Sequence, residues 1–162
     1  MQNTSPFWDF SLGFYARPGI AEICLDLQDR FGADVNVVLY LLWQAQRQRR
    51  LTPMEIEKLI ALISDWQLHV VRPLRGARRF LKEPGPTWSS DSVASFRQRL
   101  KAQELLAERL QQAVMETAFP DPGQPDDISA AAKANLEHYA LMIKAEFPAR
   151  HLSTILDCLI RE

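Results

Sequence analysis

The chain has 162 residues, 47% of them apolar, with a formal net charge of -1 and two cysteines. That length and apolar fraction suffice for one domain-sized core and exclude global disorder; the near-zero charge excludes whole-surface attraction to nucleic acid or membrane, so polyanion binding needs a local patch. The cysteines are too few for a disulfide framework, and no apolar run approaches the roughly 18 residues of a membrane span, so the chain reads as cytosolic.

Ser5 and Pro6 form a helix start, after which Phe7, Phe10 and Phe14 recur at helical spacing, flanked by Trp8 and Tyr15, as a short aromatic plug. Arg17 precedes Pro18, which disfavours helical geometry at Arg17, so a second helix is predicted with Pro18 near its first position. Its stripe is Ile20, Ile23, Cys24, Leu27 and Phe31, opposite Glu22, Asp26 and Asp29, and Gly32 ends it. From Val35 to Trp43 every residue except Asn36 is apolar, which no solvent-facing helix tolerates. The segment from Asp34, its N-cap, to Gln46 is therefore predicted as a buried central helix around which the fold is organised.

Thr52, Pro53 and Glu55 have the pattern of a capping box, opening a helix with the stripe Ile56, Leu59, Ile60, Ile63 and Trp66. From about Leu68 to Lys82, Val70, Leu74, Ala77 and Leu81 share one helical face, and Arg72, Arg75, Arg79 and Lys82 the opposite one. Pro73 either kinks this helix or marks its first turn. After the connector EPGPTWSS, residues 91–118 are predicted as one long helix with a seam of Val93, Phe96, Leu100, Gln103, Ala107, Leu110 and Val114, interrupted only by Gln103. A second connector precedes the stripe Ile128, Ala132, Leu136, Tyr139, Ile143 and Phe147, and Leu152, Ile155, Leu156 and Leu159 complete a final helix. The expected class is all-α: a single domain over residues 1–162 of seven or eight helices, with a bundle in 1–83 and a helical hairpin in 91–162.

The stretches FWDFSLGFYARPG, GADVNVVLYLLW and RPLRGARRFLK resemble a family of uncharacterised bacterial proteins of about this length. The resemblance covers the first half of the chain and implies no catalytic residue, cofactor or substrate.

Between Gln44 and Lys82 nine basic residues face three acidic ones, so this quarter of the chain carries +6 and the remainder -7. No acid lies between Gln67 and Lys82, so the arginine row has no partner on its own helix; either acids elsewhere in the fold neutralise it, or it is open. If open, Arg72, Arg75, Arg79 and Lys82 form a candidate anion-binding face, since the guanidinium fork suits carboxylate and phosphate. Nucleic acid is disfavoured because the aromatics fall mainly at core spacing. Trp8, Tyr15, Asp34 and Asn36 are the candidate pocket residues, with capping as the plainer explanation of Asp34 and Asn36.

The acidic row Glu22, Asp26, Asp29 has no second carboxylate set on a facing helix, and the three histidines have no ligand spacing, so no metal is expected. No catalytic signature and no cofactor motif occur. The sequence points to a non-enzymatic helical interaction module that binds an anionic partner. The alternative is a small-molecule-binding protein or motif-less enzyme using the same arginines on a phosphorylated or carboxylated ligand. The long seam is covered either by the last two helices or by a second copy, giving a homodimer.

Overall fold

A computed structural model describes residues 5–161. Among these the chain forms eight α-helices: α1 (Pro6–Tyr15), α2 (Ile20–Phe31), α3 (Val35–Gln46), α4 (Pro53–Trp66), α5 (Arg72–Phe80), α6 (Asp91–Ala118), α7 (Ile128–Met142) and α8 (Ala149–Ile160). The all-α expectation holds. The one sheet among the described residues is a two-residue antiparallel ladder of β1 (Arg49–Arg50) with β2 (Gln124–Pro125). Two compact units result, Met1–Ile60 with Gln112–Glu162, and Ala61–Gln111, with the boundaries falling inside α4 and α6.

The first unit is built on α3. Asn36 through Ala45 are all buried, as a helix apolar on every side requires. The Asp34 side chain caps it by accepting from the Asn36 amide at 2.8 Å, and Gly32, at φ +70°, ends α2 in the left-handed conformation. On one side α1 supplies Phe7, which stacks on Trp43 at 5.1 Å and meets Tyr40 edge-on at 5.4 Å. On another lies α7, the principal neighbour of α3. Asn135 of α7, fully buried, accepts from the Leu51 amide at 2.8 Å and donates to the carbonyls of Leu41 and Arg49 at 3.2 and 3.1 Å. One side chain thus joins the Leu41 carbonyl inside α3 to the Arg49 carbonyl and Leu51 amide of the β1 segment, and it supplies the acceptor for a buried amide. His151 Nε2, 2.7 Å from Asp26 Oδ2, ties α8 to α2.

The capping box at Thr52 is formed, with the Thr52 amide donating to Glu55 at 2.7 Å and the Glu55 amide to Thr52 Oγ1 at 3.2 Å. The other Glu55 oxygen accepts from the Gly123 amide at 2.7 Å, anchoring the turn before β2. Gly123 lies at φ +75°, and a Cβ there would meet the Arg50 carbonyl oxygen at 2.4 Å, so only glycine fits this approach to β1.

Three sequence expectations need correction. α2 begins at Ile20 rather than near Pro18, because Gly19 at φ +82° takes the N-cap position and leaves Pro18 outside the helix. α4 and α5 form one run through a π-helical turn at Gln67–Val71, with Pro73 in the first turn of α5. A wide turn there accommodates a residue with no N–H to give to the ladder. In α4 Ile56, Leu59 and Ile63 are buried as expected, but Trp66 is exposed.

Replacing Asn135 with Leu keeps the volume but strands the buried Leu51 amide and removes the side-chain bonds to the Leu41 and Arg49 carbonyls, so a loss of roughly 2 kcal/mol is expected. Chemical denaturation of the variant measures it; unchanged stability would show that these bonds are replaceable.

Candidate functional site

Within the unit spanning Ala61–Gln111, the sequence face Val70, Leu74, Ala77 and Leu81 does not form a buried stripe. No residue of α5 is buried, Val71 before it is fully covered, and Ala77 is exposed. The arginines make the attachment instead. Arg75 Nε lies 3.0 Å from Glu104 Oε1 and its Nη2 2.8 Å from Glu108 Oε1. Arg78 pairs through Nε with the other Glu104 oxygen and through Nη2 with Oε1 at 3.3 Å. Glu104 therefore bridges two guanidinium groups, with its side chain only 7% exposed. Arg97 extends the contact by donating from Nε to the Arg78 carbonyl at 3.2 Å. Nearer the base of this pair of helices, Trp66 Nε1 donates to the Ala107 carbonyl at 3.0 Å and Gln67 Nε2 to Gln111 Oε1 at 2.6 Å.

Two opposing effects act on Glu104. Burial alone would raise its pKa, but hydrogen bonds from Arg78 and Arg75, with their charges, outweigh it and hold the carboxyl below its ordinary range. The same contact raises the Arg78 pKa. The network is buried enough that removing one partner is costly, because the survivors keep a poorly solvated charge.

The four predicted anion-binding residues divide accordingly. Arg75 is held at 16% side-chain exposure by the two glutamates. Arg72, Arg79 and Lys82 lie on the exposed surface. Arg78, which the sequence pattern left out of the row, faces Glu104 with Arg75. The acids serving the row are thus on α6, 26 to 33 residues away, where no local spacing rule could find them.

The candidate pocket residues belong to the other unit. Asn36 is buried, and its Oδ1 accepts from Gln112 Nε2 at 2.8 Å, while Gln112 Oε1 accepts from Ser11 at 3.0 Å. Asp34 caps α3, and its amide donates to the Tyr139 hydroxyl at 2.7 Å. Trp8 and Tyr15 are half-buried on α1, with the Trp8 amide bonded to Ser5 Oγ. Asp34 and Asn36 thus have structural work in capping and in a buried side-chain relay. Sequence reading missed Ser11 and Gln112 because each looks like an ordinary polar surface position.

Cys24 and Cys158 are both free, and burial pushes the Cys24 thiol up to about 12, leaving it a poor nucleophile. Among the described residues no group of three His, Cys, Asp or Glu side chains is arranged to hold a metal, and no helix is long and apolar enough to cross a membrane.

The model of a family described as "Protein of unknown function (DUF2390)" matches residues 6–115, and the chain belongs to that family. No curated protein and no solved structure matches the chain. The matched region ends within α6 and so contains the whole Arg75–Glu104–Arg78 network.

A glutamate whose folded pKa is depressed contributes stability that is fully present above its unfolded pKa, about 4.3, and is lost as pH falls through the folded value. Glu104→Gln is therefore expected to destabilise the 61–111 helices by about 2 kcal/mol at neutral pH. The gap between variant and wild type should close as pH falls below the ordinary glutamate range. Denaturation followed by far-UV circular dichroism across pH reads both; a pH-independent gap would mean that the loss is one of packing alone.

Proposed function

We propose that this member of a family of unknown function is a non-enzymatic helical interaction module whose 61–111 unit docks an anionic partner in the cytosol. The observation that carries the reading is the surface of that unit. It holds nine basic residues against five acidic ones, a net of +4, while the other residues hold ten against fifteen. Two of its five acids, Glu104 and Glu108, are already committed to Arg75 and Arg78. Those pairs fix α5 on α6 and set the spacing at which Arg72, Arg79 and Lys82 meet solvent. Arg72 and Arg79 lie seven residues apart, two turns along one face, or about 10 Å, a separation suited to two anionic groups on an extended surface.

Exposed apolar side chains accompany the cations. Among the described residues, nine of the fifteen large exposed apolar side chains fall in this unit, with Phe80 at 64% and Trp88 at 61% exposure. A surface that combines them fits a protein partner, where the apolar area supplies affinity and the charges supply orientation and on-rate.

Charge reversal at Arg72 and Lys82 together should leave the helical circular dichroism and melting temperature unchanged, because both are exposed. It should abolish salt-sensitive capture of partners by the immobilised protein. Undiminished capture would remove the cationic face from the account. A thermal shift with phosphorylated metabolites, lost in the same variant, would instead favour a small anionic ligand at these residues.

A further inference from the structure

α5 is joined to α6 by charge where paired helices are ordinarily joined by apolar burial. Between Val71, which is fully covered, and Glu104 not one residue is buried. The Arg75 and Arg78 guanidinium groups meet Glu104 and Glu108 on α6 instead, with the Glu104 side chain 7% exposed. Before α5 the chain is fixed, because the π-helical turn Gln67–Val71 carries buried Val71 and the 2.6 Å bond from Gln67 to Gln111. After it come the prolines and glycine of residues 83–90, all of them at least partly exposed. An element with little apolar burial, held between an anchored turn and an open connector by a few polar contacts, opens well below the free energy of global unfolding.

We propose, building on the anionic protein partner inferred above, that α5 is a releasable arm: it lifts off α6 about the π-helical turn, and Glu104 and Glu108 are an internal ligand that keeps Arg75 and Arg78 from that partner. The chemistry of the attachment makes this a switch. An anion cannot compete with buried leucines for a helix, but a partner's carboxylates can replace those of Glu104 and Glu108 on the same guanidinium forks. Removing one member of a buried pair strands the other, whereas lifting α5 returns both to water, so opening avoids the full cost of an unpaired buried charge. The released arm carries Arg72, Arg75, Arg78, Arg79 and Lys82, with no acid from Leu68 to Lys82. An acidic protein surface complements that charge.

Native-state hydrogen exchange of the free protein reads the opening without any partner. A helix of nine residues released into water is marginal, so its amides exchange whenever the arm lifts. The amides from Leu74 to Phe80 should exchange roughly tenfold or more faster than those from Ala107 to Gln111 on α6. Raising sodium chloride should speed them relative to α6, because salt favours separation of the ion pairs. Glu108→Gln is the milder way to weaken the attachment, since that side chain is 25% exposed. It should speed α5 exchange roughly tenfold, the worth of one charge-assisted hydrogen bond.

The same variant should tighten binding of a fluorescein-labelled octaglutamate peptide by a comparable factor, since affinity scales with the open fraction while the open arm is the minor state. Asp65→Asn removes the same charge from an exposed position on α4 and should leave both readings within about twofold. Amides of α5 that exchange only together with α6 at every salt concentration overturn the proposal, whatever the capture experiment shows for Arg72 and Lys82. So does a Glu108→Gln variant that opens α5 without tightening the peptide.

Discussion

A helix with no polar face has to be enclosed on every side, and α3 imposes that constraint on its whole unit. Its residues from Asn36 to Ala45 are buried, including the amide side chain of Asn36, which cannot be left without polar company. Burial of the apolar ones is worth roughly 2 kcal/mol for each large side chain. That gain is non-directional and would tolerate rotation or sliding of α3 within its sheath. The hydrogen bonds around it remove that freedom. Ser11, Gln112 and Asn36 form one buried relay, and Asn135 reaches the Leu41 carbonyl from α7. Polar groups in a core add little net stability when satisfied but cost heavily when misaligned, so they select one register.

The 61–111 unit follows a different logic. Few of its residues are buried, and α5 is attached mainly through charge, by two arginines converging on Glu104. An ion-paired attachment leaves apolar side chains outside, which is the opposite of what a self-sufficient core would do. An exposed apolar stripe on a charged helix is a feature of surfaces that associate. The proposal for a partner arises from this imbalance.

What could be read from sequence was what is decided locally. The caps at Ser5, Asp34 and Thr52, the αL stop at Gly32 and the limits of α6 all depend on residues within four positions of each other, and each was legible. The partners of Arg75 and Arg78 were not, because an ion pair spanning about 30 residues leaves no periodic trace. The α6 seam was legible as a pattern but not as a face. Stripes offset by a fraction of a turn share residues such as Ala107, and only tertiary contact decides which one is covered. The β1–β2 ladder was illegible for a further reason: two residues carry no alternation, and the pairing depends on Gly123 coming against the Arg50 carbonyl.

Amide-resolved hydrogen exchange under native conditions tests most directly whether α3 is the enclosed organiser of its unit. The backbone amides from Val38 to Trp43 should be among the slowest in the protein, exchanging only through global unfolding, with a free energy equal to that from chemical denaturation. Exchange of these amides through a local opening well below that free energy, at rates like those of α5, would contradict the account.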